Sequence, residues 1–255
     1  MTKIIAIANQ KGGVGKTTTS TALAAGLHSR GYKVLAIDVD PQGNFSDTAG
    51  AECQESHTIY DVIKGEVPAE EAIQKLDCFD MIPANIMLAG FETELPPLGK
   101  EQRLKEYIDP IAGRYDFIVI DTPPSLGTFT INAFTLANQI IIPTHAGVYA
   151  TTGMIQLNTT IKNVRKYCYN QKLSVIGILI TRFNPRTNIN KDMRDLTERI
   201  GRELQMPIFN TFIRSSVVVE EAQANKLDIF SYSPESIVGQ DYTAFIEEYL
   251  KKQEG

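Results

Sequence analysis

Lys11, Lys16 and Thr17 lie within the glycine-rich run NQKGGVGKTTT at residues 9–19. Asp38 and Asp40 follow an apolar run, and Asp121 ends another, FIVID at 117–121. Glycines let a backbone curl and aim its N–H groups at phosphate oxygens. In the segment K-G-G-x-G-K-[ST], Lys16 would reach β- and γ-phosphates and the Thr17 hydroxyl would ligate magnesium. A chance match to its six specified positions is roughly 10⁻⁷ per starting point. The run departs from the usual phosphate loop: Gln10 stands where its first glycine belongs, and Lys11 adds a second cation. Two ammoniums about 6 Å apart repel by roughly 3 kcal/mol at an effective dielectric near 20. Either a polyanion lies between them, or Lys11 faces solvent and screening removes the cost.

These residues need elements to hold them. KIIAIAN (3–9), KVLAIDVD (33–40), YDFIVIDTPP (115–124), QIIIPT (139–144) and KLSVIGILITRF (172–183) read as buried strands. FDMIPA (79–84) reads as a further one. Helical patterns fall at 17–29, 126–138, 153–169 and 188–204, the last carrying Ile189, Met193, Leu196, Ile200 and Leu204 as its apolar stripe. Shorter ones are TIYDVIKG and GKEQRLKEYIDPIAG, and Pro96-Pro97 signals a loop. Continuous apolar strands interleaved with helices predict an α/β fold, a mostly parallel twisted sheet in three layers like that of P-loop NTPases. With no linker or repeat, residues 1–255 are expected to form one domain. Ligands of such sheets bind at the carboxyl ends of the strands, where the loop and the three aspartates fall. Asp121 would then stand near magnesium, and Asp40 could orient an attacking water. Asp38 either supports Lys16 and the metal or caps its strand end.

Composition narrows the setting. The chain has no apolar run of about 18 residues and no cleavage-site pattern near its start, so neither a membrane span nor a signal peptide is expected. Its three cysteines, Cys53, Cys78 and Cys168, are far apart, which fits a reducing cytosol. The net charge is −5, yet residues 155–215 hold eleven Lys+Arg against four Asp+Glu. Lys162, Arg165, Arg186, Lys191 and Arg194 belong to this stretch. They are either phosphate contacts for nucleic acid or ordinary solvated helix faces. The final segment GQDYTAFIEEYLKKQEG carries an apolar stripe, Tyr242, Phe245, Ile246, Tyr249 and Leu250. Its polar face mixes Glu247 and Glu248 with Lys251 and Lys252, too little positive charge for a membrane surface. The stripe is expected to pack on the core.

Lys11-Gly12-Gly13-Val14-Gly15-Lys16-Thr17 resembles the deviant Walker A motif of the ParA/MinD ATPases. The resemblance extends to DVDPQGN (38–44) and DTPPSLG (121–127), and is nearest to ParA/Soj-type partition ATPases. It implies a magnesium-dependent ATPase, weak alone, whose two copies close around two ATP molecules. Lys11 would then be the signature lysine, which crosses to the partner's phosphates. Gly12, Gly13, Val14, Gly15, Lys16, Thr17 and Thr18 would cradle the nucleotide. Thr17, Asp40 and Asp121 would serve the metal, with Lys11, Lys16, Asp40 and Asp121 in catalysis. Thr181, Arg182 and Arg214 lie where relatives approach the adenine or the switch. The same resemblance implies non-specific double-stranded DNA and a ParB-like centromere-binding protein as partners, and a nucleoid-associated place in the cytoplasm. A MinD-like membrane switch and an ATP-binding regulatory module with little turnover are the alternatives. Iron–sulfur carriers of the superfamily need interface thiolates, and no cysteine falls within forty residues after Asp121. One departure is local: relatives often carry more arginine past Arg214, where this chain has Val217 to Val219, then Glu220-Glu221.

Overall fold

The computed structural model describes residues 1–94, 99–145 and 150–254. Pro96-Pro97 and the side chains of Ile189 and Lys191 lie outside the described residues. Eight strands form one sheet: β1 (Lys3–Ile7), β2 (Val34–Asp38), β3 (Gln74–Lys75), β4 (Asp80–Ile82), β5 (Phe117–Asp121), β6 (Gln139–His145), β7 (Ser174–Phe183) and β8 (Ile208–Arg214). Their order is β3-β4-β2-β5-β1-β6-β7-β8. Every pairing is parallel except β3 with β4.

The helices among the described residues are α1 (Lys16–His28), α2 (Asn44–Thr48), α3 (Ile59–Lys64), α4 (Phe91–Glu94), α5 (Arg103–Ala112), α6 (Thr128–Leu136), α7 (Ala150–Tyr167), α8 (Asn188–Leu204), α9 (Val218–Ala224), α10 (Ile229–Tyr232) and α11 (Ile237–Glu254). The continuous apolar strands are buried on both faces, as a parallel sheet requires. Alternation in β1 shows the layering. Ile4 and Ala6 face a core shared with α3, α5, α6 and α7, while Ile5 and Ile7 face one shared with α1 and α11. A Cβ at Gly26 would collide with Ile246, so the missing side chain lets α1 and α11 approach closely.

The expected strands and longer helices are present, with ends shifted by a few residues. Strands β3 and β8 and the short helices α2, α4, α9 and α10 are additions. Strand β8 extends the sheet past β7, α9 borders the cleft at Thr18 through Gln223, and α10 packs on α1.

Candidate functional site

The turn after β1 wraps the amino end of α1. Gly13 (φ 70°) and Gly15 (φ 81°) adopt the left-handed conformation that side chains resist. Gly15 precedes α1 without a side-chain cap, so the first N–H groups of a thirteen-residue helix are open to an anion. Gly12, Gly13, Gly15, Lys16, Thr17 and Thr18 line a cleft of about 510 Å³. Val14 is buried beneath it, and its carbonyl accepts a bond from Thr181 Oγ1 at 2.9 Å.

The two lysines differ. Lys16 is only 7% exposed, and its Nζ donates to the Lys11 carbonyl at 3.2 Å. Burial lowers its pKa, against the pull of Asp121 and Asp40. A buried ammonium whose hydrogen-bond acceptor is a carbonyl suits a phosphate. The Lys11 side chain is exposed on the outside of the loop, while its N–H is pinned to Asn9 Oδ1 at 2.9 Å. Beside it lies His145, whose pKa is lowered by burial and then by the charges of Lys11 and Arg182.

The three aspartates converge. Asp121 accepts from Thr17 Oγ1 and from Ser20 Oγ, each at 2.8 Å. Burial, then the nearby Asp38, pushes its carboxyl up to about 7. A buried carboxylate so disfavoured, bridged to the loop threonine, has the donor chemistry to help hold a magnesium ion. Asp40 lines the same cleft, and its Oδ1 accepts from Gln42 N at 3.0 Å in a tight turn. Asp38 caps the end of β2. It accepts from Asp40 N at 3.0 Å, and from Ser46 N at 3.0 Å and Ser46 Oγ at 2.8 Å. It therefore shapes the loop that carries Asp40, and its charge stands close enough to Asp121 to raise that carboxyl.

At the far end, Arg182, Ile213, Arg214, Val219 and Gln223 continue the lining. Ser20, Gln223, Asp241 and Tyr242 are site residues that the sequence reading missed. Ser20 had a legible signal, since it sits one turn after Thr17 on the same helix. Tyr242 lies against Thr19 with its hydroxyl 3.3 Å from Oγ1, a contact across 223 positions that no local pattern announces.

The basic candidates do not form one group. Arg186 is exposed in the turn at the carboxyl end of β7, and Arg194 follows on α8. Lys162 and Arg165 lie on the later turns of α7, which by then has run back toward the amino ends of the strands, where β7 begins. Arg165 Nε is committed to the Leu173 carbonyl at 2.7 Å, and Arg194 pairs with Glu198 at 3.0 Å. The stripe of α11 is spent in the core: Phe245, Ile246 and Tyr249 are fully buried. Among the described residues no helix is long and apolar enough to cross a membrane.

Known proteins share this frame. A family model described as an AAA domain matches residues 2–175. The sporulation initiation inhibitor protein Soj of Bacillus subtilis is 39% identical over 240 residues, covering 92% of this chain and 93% of that protein. The chromosome partitioning protein ParA of Caulobacter vibrioides is 34% identical, with 98% and 95% covered. Among solved structures, cobyrinic acid a,c-diamide synthase from Mycobacterium smegmatis, with bound ATP analog and magnesium, superposes with a TM-score of 0.88 at 31% identity. That match covers 100% of this chain and 96% of the other.

Proposed function

The chain belongs to the ParA/MinD family of P-loop ATPases, and from that premise we propose that it is a DNA-partition ATPase. In this reading, residues 1–255 act as one domain, and ATP with magnesium closes two copies into a sandwich. The sandwich holds double-stranded DNA without reading its sequence. Slow hydrolysis, stimulated by a ParB-like centromere-binding protein, releases it. The protein works on the nucleoid, in the cytoplasm.

The observation that carries this reading is the contrast between the two lysines. Lys16 fills the loop from inside, whereas Lys11 extends outward with its charge uncommitted to the loop's own cleft. A cation so placed can neutralise charge on a second copy's γ-phosphoryl group, as an arginine finger does. Thr17 and Asp121 would hold magnesium, with Asp40 beside them. Bound there, the ion would offset negative charge on the β- and γ-phosphate oxygens. Asp40 would orient the attacking water from a loop that Asp38 and Ser46 hold in shape. The M. smegmatis relative, with its ATP analog and magnesium, supports the choice of cofactors. The names of Soj and ParA support chromosome partition. The packed stripe of α11 supports DNA over a membrane surface as the partner.

The test is DNA retention by the purified protein with ADP, ATP or a non-hydrolysable ATP analogue, at two salt concentrations. Retention is expected with ATP and the analogue only, falling steeply with salt. Equal retention in all three nucleotide states would refute the ATP-gated reading.

A further inference from the structure

Strand β8 ends the sheet, and among the described residues no strand pairs with its outer side. Its sequence, IFNTFIR, has isoleucine, phenylalanine and threonine at most positions, a single charge and no proline. Segments of that length with high β-propensity and little charge pair readily with copies of themselves. An edge of this kind is a template for a further strand unless something blunts it.

Helix α11, which packs along β8, supplies what blunts it. Ile208 lies opposite Ile178 and Phe212 opposite Ile180, so β8 runs four residues where β7 runs two. Within this bulge the strand offers its amides irregularly. Successive amides of a regular strand point to opposite sides, yet those of Asn210 and Thr211 meet one carboxylate. Asn210 N donates to Glu248 Oε1 at 2.8 Å, and Asn210 Nδ2 reaches the same oxygen at 3.3 Å. Thr211 N donates to Glu248 Oε2 at 2.9 Å. Asp241, seven residues before Glu248 and so on the same face of the helix, accepts from Arg214 N at 2.9 Å. Lys252, one turn after Glu248, sits 5.5 Å from the centroid of the Phe209 ring. One stripe of α11 thus occupies three amides of the last strand and lines it with charge.

We propose that Glu248 is a latch on the β8 edge, which keeps that edge from adding the β8 strand of a second copy. Pairing through the edge would need no nucleotide. With the edge closed, self-association is left to the face that carries Lys11. The latch itself stands on β8 and α11 alone; only this last consequence rests on the function proposed above.

The test is light scattering of nucleotide-free protein at a low and a high concentration, with thermal midpoints recorded. Wild type should keep one mass at both. Glu248→Ala should at least about double its weight-average mass at the higher concentration, as an unblunted edge does. Adding Asn210→Lys to that variant puts a charge back on the edge and should return the mass to the wild-type value. Where Glu248→Ala fails to fold, Glu248→Gln, which keeps one acceptor oxygen, takes its place and should gain mass to a lesser extent. Amide hydrogen exchange by NMR checks the latch without any substitution. In dilute wild type, the amides of Asn210 and Thr211 should exchange at least about tenfold more slowly than in an unstructured peptide of the same sequence. Unchanged mass in the glutamate variant that folds, association that persists with Asn210→Lys, or unprotected amides at both positions would overturn the proposal.

Discussion

The ammonium of Lys16 donates to the carbonyl oxygen of Lys11 at 3.2 Å, so the two lysines of the loop meet through a backbone group and keep their charges apart. That contact turns Lys16 inward and leaves the Lys11 side chain free to reach out. It also makes the two residues separable by mutation.

Lys16→Ala removes the one ammonium that lines the cleft's phosphate end among the described residues. ATP affinity should fall about 100-fold, the loss expected for one or two charge-assisted hydrogen bonds. Calorimetry with Mg·ATP measures it; near-normal affinity would place the phosphates elsewhere.

Lys11→Ala should leave ATP binding by the monomer within about threefold. Hydrolysis should drop about 1,000-fold, the size of a lost arginine finger. Light scattering with a non-hydrolysable analogue should show incomplete dimer formation. Wild-type turnover in this variant would take Lys11 out of the mechanism.

Asp40→Ala should keep ATP binding and slow hydrolysis at least about 100-fold, as loss of a water-orienting carboxylate does. An ATP-loaded dimer should accumulate and remain on DNA. Single-turnover phosphate release reads this directly, and a normal rate would assign the water to another residue.

Arg186→Glu should weaken DNA retention and reduce the slope of log affinity against log salt by about one or more. ATP affinity should not change. An unaltered slope would move the DNA surface away from the β7–α8 turn.

Protons should report on the buried aspartates. In the nucleotide-free protein burial raises Asp38 to about 6 and Asp121 to about 7, both above the ordinary carboxylate range. The folded form then retains protons that the unfolded chain has already released, so stability falls as pH rises between about 4 and 7. The thermal midpoint of wild type relative to Asp121→Asn should therefore decline from about pH 5 to about pH 8. A difference that is flat or grows with pH would contradict the raised values.

The nucleotide loop was legible because its whole chemistry is contiguous: glycines, lysine and threonine within a few residues, between a strand and a helix. The long strands were legible because burial on both faces leaves unbroken apolar runs. Strand β8 was not. It lies at the sheet edge, and exposed Asn210 together with half-buried Thr211 breaks up its apolar pattern. The far end of the cleft was equally hidden, since it joins Thr18 to Gln223 and Arg214 to Asp241 across 205 and 27 positions. The charge count in residues 155–215 overstated a single surface. It could not show that Arg165 is occupied by the Leu173 carbonyl, or that α7 carries Lys162 away from Arg186.

The last helix is wired into the pocket it underlies. Asp241 grips one wall through Arg214, and adjacent Tyr242 abuts the first turn of α1 at Thr19. Farther along, the hydroxyl of Tyr249 donates to Gln139 Oε1 at 2.7 Å, anchoring the helix to β6. Any bulky fusion that pries this helix loose would register as damaged nucleotide handling, and a label on its outer face could serve as a remote gauge of occupancy.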